Sequence, residues 1–132
     1  MSFVVDTDTC SAHIKWHPLV TNRFIQHGGG LYISVVTLGE LTIWTRRANA
    51  SPQRAQELQD FLKIVTVLEV TADVARKFGE IQAALMDVGQ RAPEMDLLIA
   101  CTALVHGYSV VTHNVHDYAM VPGLTVLDWL VP

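Results

Sequence analysis

Phe3-Val4-Val5-Asp6-Thr7-Asp8-Thr9-Cys10-Ser11, near the start of the chain, is the stretch whose reading decides the fold. Three apolar residues read as a short buried strand, and the polar segment after them offers capping side chains for a helix through Ala12-His13-Ile14-Lys15-Trp16. The same strand-then-acid grammar returns late in the chain. Ser109-Val110-Val111-Thr112 is a β-branched run, and His113-Asn114-Val115-His116-Asp117 follows it.

Between these two stretches, strands and helices alternate. Pro18 opens a helix running toward Gln26, and Gly28-Gly29-Gly30 ends it; this glycine run lacks the spacing of a phosphate-binding loop. Leu31 to Ser34 reads as a second strand, leading into a helix to about Ala48. Pro52 starts another helix, to about Lys63, and Ile64 to Val70 is rich in β-branched residues and reads as a strand. Apolar side chains at Val74, Ala75, Phe78, Ile81, Ala84, Leu85 and Val88 recur by threes and fours, the mark of an amphipathic helix. A nearly all-apolar helix from Glu94 to His106, closed by Gly107, must be buried on most sides, and Thr125 to Leu127 reads as a short edge strand. The alternation predicts an α/β fold with a mainly parallel central sheet flanked by helices, in a single domain spanning residues 1–132.

With 132 residues, half of them hydrophobic, the chain is long enough to bury a core without disulfides or a structural metal. So high an apolar share in a small chain points to an oligomer. Cys10 and Cys101 lack metal-ligand spacing and read as buried free thiols. No apolar run reaches the roughly 18 residues needed to span a bilayer, and Asp6 comes too early for a secretory signal, so a cytoplasmic location without membrane attachment is expected. A net charge of -4 excludes binding to nucleic acid through a broad basic face. It does not exclude a nuclease that holds phosphate through a divalent cation and a few local bases, for which Lys15, Arg23, Arg46, Arg47 and Arg54 are candidates.

The acids carry the chemistry. Asp6, Glu40, Asp96 and Asp117 each border sequence that reads as buried, and ligands of a parallel sheet gather at the carboxyl ends of its strands. Carboxylates so placed repel one another unless a cation joins them. Mg²⁺ prefers such hard oxygen ligands and keeps several waters, so one or two direct carboxylates suffice while others hold its waters. Structural alternatives exist for each residue. Asp8, and less readily Asp6, fits a helix N-cap; Thr37-Leu38-Gly39-Glu40 matches a capping box; Asp96 suits a helix dipole; Asn114 suits a turn. His113-x-x-His116 with Asp117 also admits zinc, although no further His or Cys cluster supports it. A phosphoacceptor domain would need a Lys near a late strand end, and no Lys follows Lys77.

Taken in order, Val5-Asp6-Thr7-Asp8-Thr9-Cys10, Ile33 to Leu41 with Thr37-Leu38-Gly39-Glu40, Met95-Asp96-Leu97-Leu98-Ile99-Ala100, Val111 to Tyr118, Val121-Pro122-Gly123-Leu124 and Asp128-Trp129 span nearly the whole chain. This ordered set resembles the PIN-domain ribonuclease toxins of bacterial type II toxin–antitoxin systems, the VapC family. The resemblance implies a PIN fold, an endoribonuclease dependent on Mg²⁺ or Mn²⁺, RNA substrates that are often transfer RNAs, a homodimer, and inhibition by a cognate antitoxin. Asp6, Glu40, Asp96 and Asp117 match the family's acidic positions as metal and catalytic residues, with Asp8, Thr112 and Asn114 as supporting groups. Family members commonly carry Asn where this chain has Asp8. The competing class is a non-catalytic PIN-like module that binds RNA or protein.

Overall fold

The computed structural model describes residues 1–132. Its elements run β1 (Phe3–Val5), α1 (Thr7–Ile14), α2 (Pro18–Gln26), β2 (Leu31–Ser34), α3 (Val35–Arg46), α4 (Pro52–Leu62), β3 (Thr66–Leu68), α5 (Ala72–Asp87), α6 (Glu94–His106), β4 (Ser109–Val111), α7 (Val115–Tyr118) and β5 (Val126–Leu127). The five strands form one sheet in the order β3-β2-β1-β4-β5. Every pairing is parallel, with Val5 opposite Val111 at the centre.

Because side chains alternate along a strand, the sheet feeds two cores. Phe3 and Val5 face a cluster with Cys10, Val20, Phe24, Leu58, Phe61 and Trp129, drawn from α1, α2, α4 and the turn after β5. Val4 and Val110 face the other way, onto Val74 and Ile81 of α5 and Leu97, Ile99 and Ala103 of α6. The apolar helix α6 is buried as its composition requires: Leu97 and Ile99 are each 1% exposed, and burial of such a side chain contributes about 2 kcal/mol. Gly107 closes α6 in the left-handed conformation, φ 72°, that a glycine adopts without strain.

Local differences from the sequence reading have local causes. The third strand covers only Thr66–Leu68 of the expected Ile64–Val70. It lies at the sheet edge and pairs only with β2, which bends into α3 where Ser34 Oγ accepts the Val36 amide, so no ladder exists to extend it. Helix α1 begins earlier than expected, at Thr7, because its cap is Asp6 and not Asp8. Asn114 does more than shape a turn: it precedes the short helix α7, which the sequence reading missed. Cys10 and Cys101 are free and buried, as expected. No helix is long and apolar enough to cross a membrane.

Candidate active site

In a sheet of this order, β1 and β4 are neighbours whose following segments leave in opposite directions, which opens a crevice at their carboxyl ends. Asp6 sits there, immediately after β1, and is only 4% exposed. Its Oδ1 accepts the Thr9 amide at 3.0 Å, and its Oδ2 accepts the Thr112 hydroxyl at 2.5 Å from the end of β4. The Asp6 amide donates to Val111 O, fixing the backbone as well. Burial raises the Asp6 pKa, the hydrogen bonds from Thr112 and Thr9 oppose that rise, and Asp8 adds to it.

The other acids arrive on helices. Glu40 lies on α3 and accepts the Thr7 hydroxyl at 2.5 Å, with Thr37 Oγ1 a further 3.3 Å from Thr7. The capping-box pattern is therefore not used as a cap: Ser34 caps α3, and Glu40 turns to α1 instead. Asp96 stands in the first turn of α6. The segment just before that turn is anchored by the buried Gln82, whose side chain donates to Ala92 O at 2.9 Å and accepts the Ala92 amide at 3.0 Å. The pKa of Asp96 is raised to about 6, first by desolvation, then by repulsion from Asp117 and Asp6, a hydrogen-bonding contact with Asp117, and repulsion from Glu40. Those causes bring all four acids into one electrostatic neighbourhood. No Lys or Arg forms an ion pair with any of them.

Asp6, Thr7, Asp8, Glu40, Asp96 and Asn114 line a cleft of about 220 Å³ that contains no hydrophobic side chain. Asp117 does not line it and joins the cluster through Asp96. Asp8 is exposed on α1 and is tied to the β4 side by Asn114 Nδ2, 3.0 Å from its Oδ2. The candidate bases Lys15, Arg23, Arg46, Arg47 and Arg54 do not line the cleft. Arg54 instead donates to Trp44 O and lies over the Trp44 ring, 5.4 Å from its centroid.

Two contributors escaped the sequence reading. Thr7 orients Glu40, and its only signal was a hydroxyl one residue after Asp6. Tyr118 is 1% exposed with its hydroxyl 3.5 Å from Asp96 Oδ1, and burial together with Asp6, Asp96 and Glu40 pushes its pKa far up, so it remains a neutral donor. A tyrosine in a segment that must bury its ring needs such a partner, which was the available clue.

No three His, Cys, Asp or Glu side chains stand in a ready-made coordination cage. The zinc reading of His113, His116 and Asp117 finds no support, since these side chains do not gather into such a group. For a Mg²⁺-like ion the fit is better: the donors are hard carboxylate oxygens, their mutual repulsion is unrelieved by any cationic side chain, and such an ion needs few direct ligands.

The PIN domain family model matches residues 3–120. The tRNA(fMet)-specific endonuclease VapC of Shigella flexneri is 32% identical over 130 residues, covering 98% of each chain. Among solved structures, the DNA-bound VapBC of Salmonella typhimurium superposes with a TM-score of 0.91 at 30% identity over 98% of each chain. VapBC2 of Rickettsia felis, bound to a promoter DNA fragment, follows at 0.89 and 25% identity, covering 98% of this chain and 99% of that one. Sheet order, acid placement and these matches agree: the chain belongs to the PIN-domain family, in its VapC branch of toxin–antitoxin ribonucleases.

Proposed function

We propose that this protein is a metal-dependent endoribonuclease, the toxin of a toxin–antitoxin pair, with Asp6, Glu40, Asp96 and Asp117 as its catalytic and metal-binding residues. The observation that carries the reading is the convergence of Asp6, Glu40 and Asp96 on one polar cleft, with Asp117 joined to them through Asp96 and no cationic side chain paired with any of the four. Asp6 and Asp96 would hold the ion directly, while Glu40 and Asp117 would hold its waters. A Mg²⁺ ion, or Mn²⁺ in its place, supplies the balancing charge and makes a water acidic enough to attack phosphorus.

The chain's own groups set up that chemistry. Thr9 and Thr112 fix both Asp6 oxygens, leaving lone pairs on the cleft side. Thr7 holds Glu40 toward the same space, and Gln82 anchors, through Ala92, the segment that leads into the helix carrying Asp96. Carboxylates with free lone pairs accept protons from cleft water and orient it, so no nucleophilic side chain is required.

The name of the Shigella relative makes initiator transfer RNA the first substrate to test, in a cytoplasmic setting. The VapBC neighbours support a cognate antitoxin as partner. An antitoxin Arg or Lys entering the acid cluster would displace the ion and be held by charge-assisted hydrogen bonds. A complex that leaves all four acids open to solvent would refute that mode of inhibition. Exposed Trp16, Ile25, Ile43 and Val88 supply apolar surface for the antitoxin and for a homodimer.

The test is cleavage of total RNA and of tRNA(fMet) by the purified protein and by Asp96→Asn, in Mg²⁺, Mn²⁺ and EDTA. Discrete cleavage that needs both metal and Asp96 is expected. Cleavage by a folded Asp96→Asn protein at the wild-type rate would sink the site assignment. RNA binding without any metal-dependent cleavage would favour the non-catalytic module.

A further inference from the structure

The crossing from α5 to α6 is short and is pinned on both sides of one residue. Gly89 turns the chain at φ 74°, the Gln90 amide donates to Leu85 O at 2.8 Å, and the buried Ala92 exchanges two hydrogen bonds with the Gln82 side chain. Arg91 between them therefore has a fixed backbone and a free side chain, 59% exposed. Its guanidinium meets Glu94 Oε1 at 3.1 Å and Met86 Sδ at 3.9 Å. The Glu94 side chain is equally exposed, and an ion pair open to water on both sides contributes little, so a stronger anion can take the guanidinium from it.

Gln90 and Arg91 line a groove of about 470 Å³ together with His116, Ala119 and Met120, from α7 and the turn after it. The groove adjoins the acids at two points. His116 precedes Asp117, which contacts Asp96, and Glu94 shares the first turn of α6 with Asp96. It is larger than the acid cleft of about 220 Å³, and Met120 also borders a second depression lined by Lys77 and Glu80, so the groove leads away from the acids along α5. No Lys or Arg follows Arg91 in the chain, so α6, β4, α7 and β5 bring none to this side of the site. A polyanion whose reacting bond lies among carboxylates is repelled by them, and a cation at a neighbouring phosphate offsets that repulsion. Arginine suits the task because it stays charged at every working pH and its planar fork matches phosphate oxygens in pairs.

We propose that this groove holds the RNA strand next to the cleaved bond, with Arg91 leaving Glu94 to bind one of its backbone phosphates. The inference rests on the ribonuclease reading for its substrate and gives Arg91 no part in bond breaking. Glu94 then competes with the phosphate for the same guanidinium, so removing its charge strengthens binding.

The test separates binding from cleavage. Affinity for a fluorescein-labelled transfer RNA is measured by anisotropy in EDTA over a salt series, and KM and kcat are measured in Mg²⁺ on whichever RNA the wild type cleaves. Arg91→Gln should bind severalfold more weakly, with a salt slope smaller by about 1, as for the loss of one phosphate contact. In cleavage KM should rise with kcat unchanged. Arg91→Lys should keep the wild-type slope, and Glu94→Gln should bind more tightly than wild type. Arg76→Gln is the matched control: Arg76 makes the same kind of exposed pair, with Asp73 at 3.0 Å, but does not line the groove, so its loss should leave affinity near wild type. Melting temperatures of all variants confirm that each is folded. Equal affinity and salt slope for wild type and folded Arg91→Gln, an equal loss in Arg76→Gln, or no RNA binding by wild type overturns the proposal. Binding that depends on Arg91 without any metal-dependent cleavage would keep the groove and overturn the nuclease reading instead.

Discussion

Asp6 and Asp96 belong to the same cleft and are held in opposite ways. Asp6, 4% exposed, is the more buried, yet both its oxygens receive a hydrogen bond at 3.0 Å or less from groups on α1 and the end of β4. Asp96 is half-buried, it is met only by the Tyr118 hydroxyl at 3.5 Å and by a hydrogen-bonding contact with Asp117, and three other acids press on it. Hydrogen bonds that favour the charged form oppose part of the desolvation at Asp6, whose pKa is still raised, whereas nothing opposes it at Asp96, whose pKa reaches about 6. The sheet side of the site is thus prepared for a charge already present, and the helix side waits for an external one.

The largest expected effect would break this contrast at its weak end. Asp96→Asn should lower cleavage by about a thousandfold or more, since it removes a charge the reaction needs, while in EDTA its melting temperature stays level or rises because repulsion is relieved. A clear fall in melting temperature would show that Asp96 is a structural acid. Asp6→Ala should lose cleavage to a similar degree and, unlike Asp96→Asn, should also lose about 0.5–2 kcal/mol of stability with its helix cap, measured by urea unfolding.

Next come the groups that hold the acids. Thr7→Val frees Glu40 and should reduce activity or metal affinity by about 10–100-fold, the usual cost of losing an outer hydrogen-bond partner, with little change in melting temperature. Gln82→Leu removes both bonds to Ala92 and leaves that buried amide and carbonyl unpaired, for a loss of about 1–3 kcal/mol per group left unsatisfied. Activity should fall with it, because Asp96 projects from the helix this latch anchors. Unchanged kinetics in Gln82→Leu would show that α6 is positioned by its apolar packing alone.

The smallest effect is a dependence on pH. A carboxyl whose folded pKa is raised binds protons more tightly in the folded state, so its contribution favours folding below about pH 6 and is lost as pH rises through that value. In EDTA the melting temperature should therefore decline between pH 5 and pH 7, and Mg²⁺ should restore more of it at pH 7 than at pH 5. Asp96→Asn should flatten both trends. If Asp96→Asn leaves the decline intact, the repulsion lies elsewhere.

Much of this was legible before the coordinates. β1 and β4 announce themselves by Phe3-Val4-Val5 and Ser109-Val110-Val111, and the placement of acids just beyond strands identified the cleft, because a parallel sheet has only one end where such groups can meet. What escaped was decided by partners distant in sequence. Glu40 could serve its own helix or another, and only the approach of Thr7 on α1 chooses. Asp6 rather than Asp8 caps α1 because the amide of Asp6 is bound to Val111, which fixes where the strand stops and the helix starts. The length of β3 depended on β2, and the Tyr118 contact on the docking of α7 beside α6. Among the candidate bases, Arg54 has a use at Trp44 that no local pattern records.

The central claim is that four acids assemble a divalent-metal site. Its most direct test is an anomalous difference map at the manganese edge, from crystals of the wild-type protein grown or soaked in Mn²⁺ near pH 7.5. A peak in the cleft between Asp6 and Asp96, within reach of Glu40 and absent in Asp96→Asn crystals, is the expected result. A cleft without a peak in crystals that bind Mn²⁺ elsewhere, for instance at His113 or His116, would contradict it.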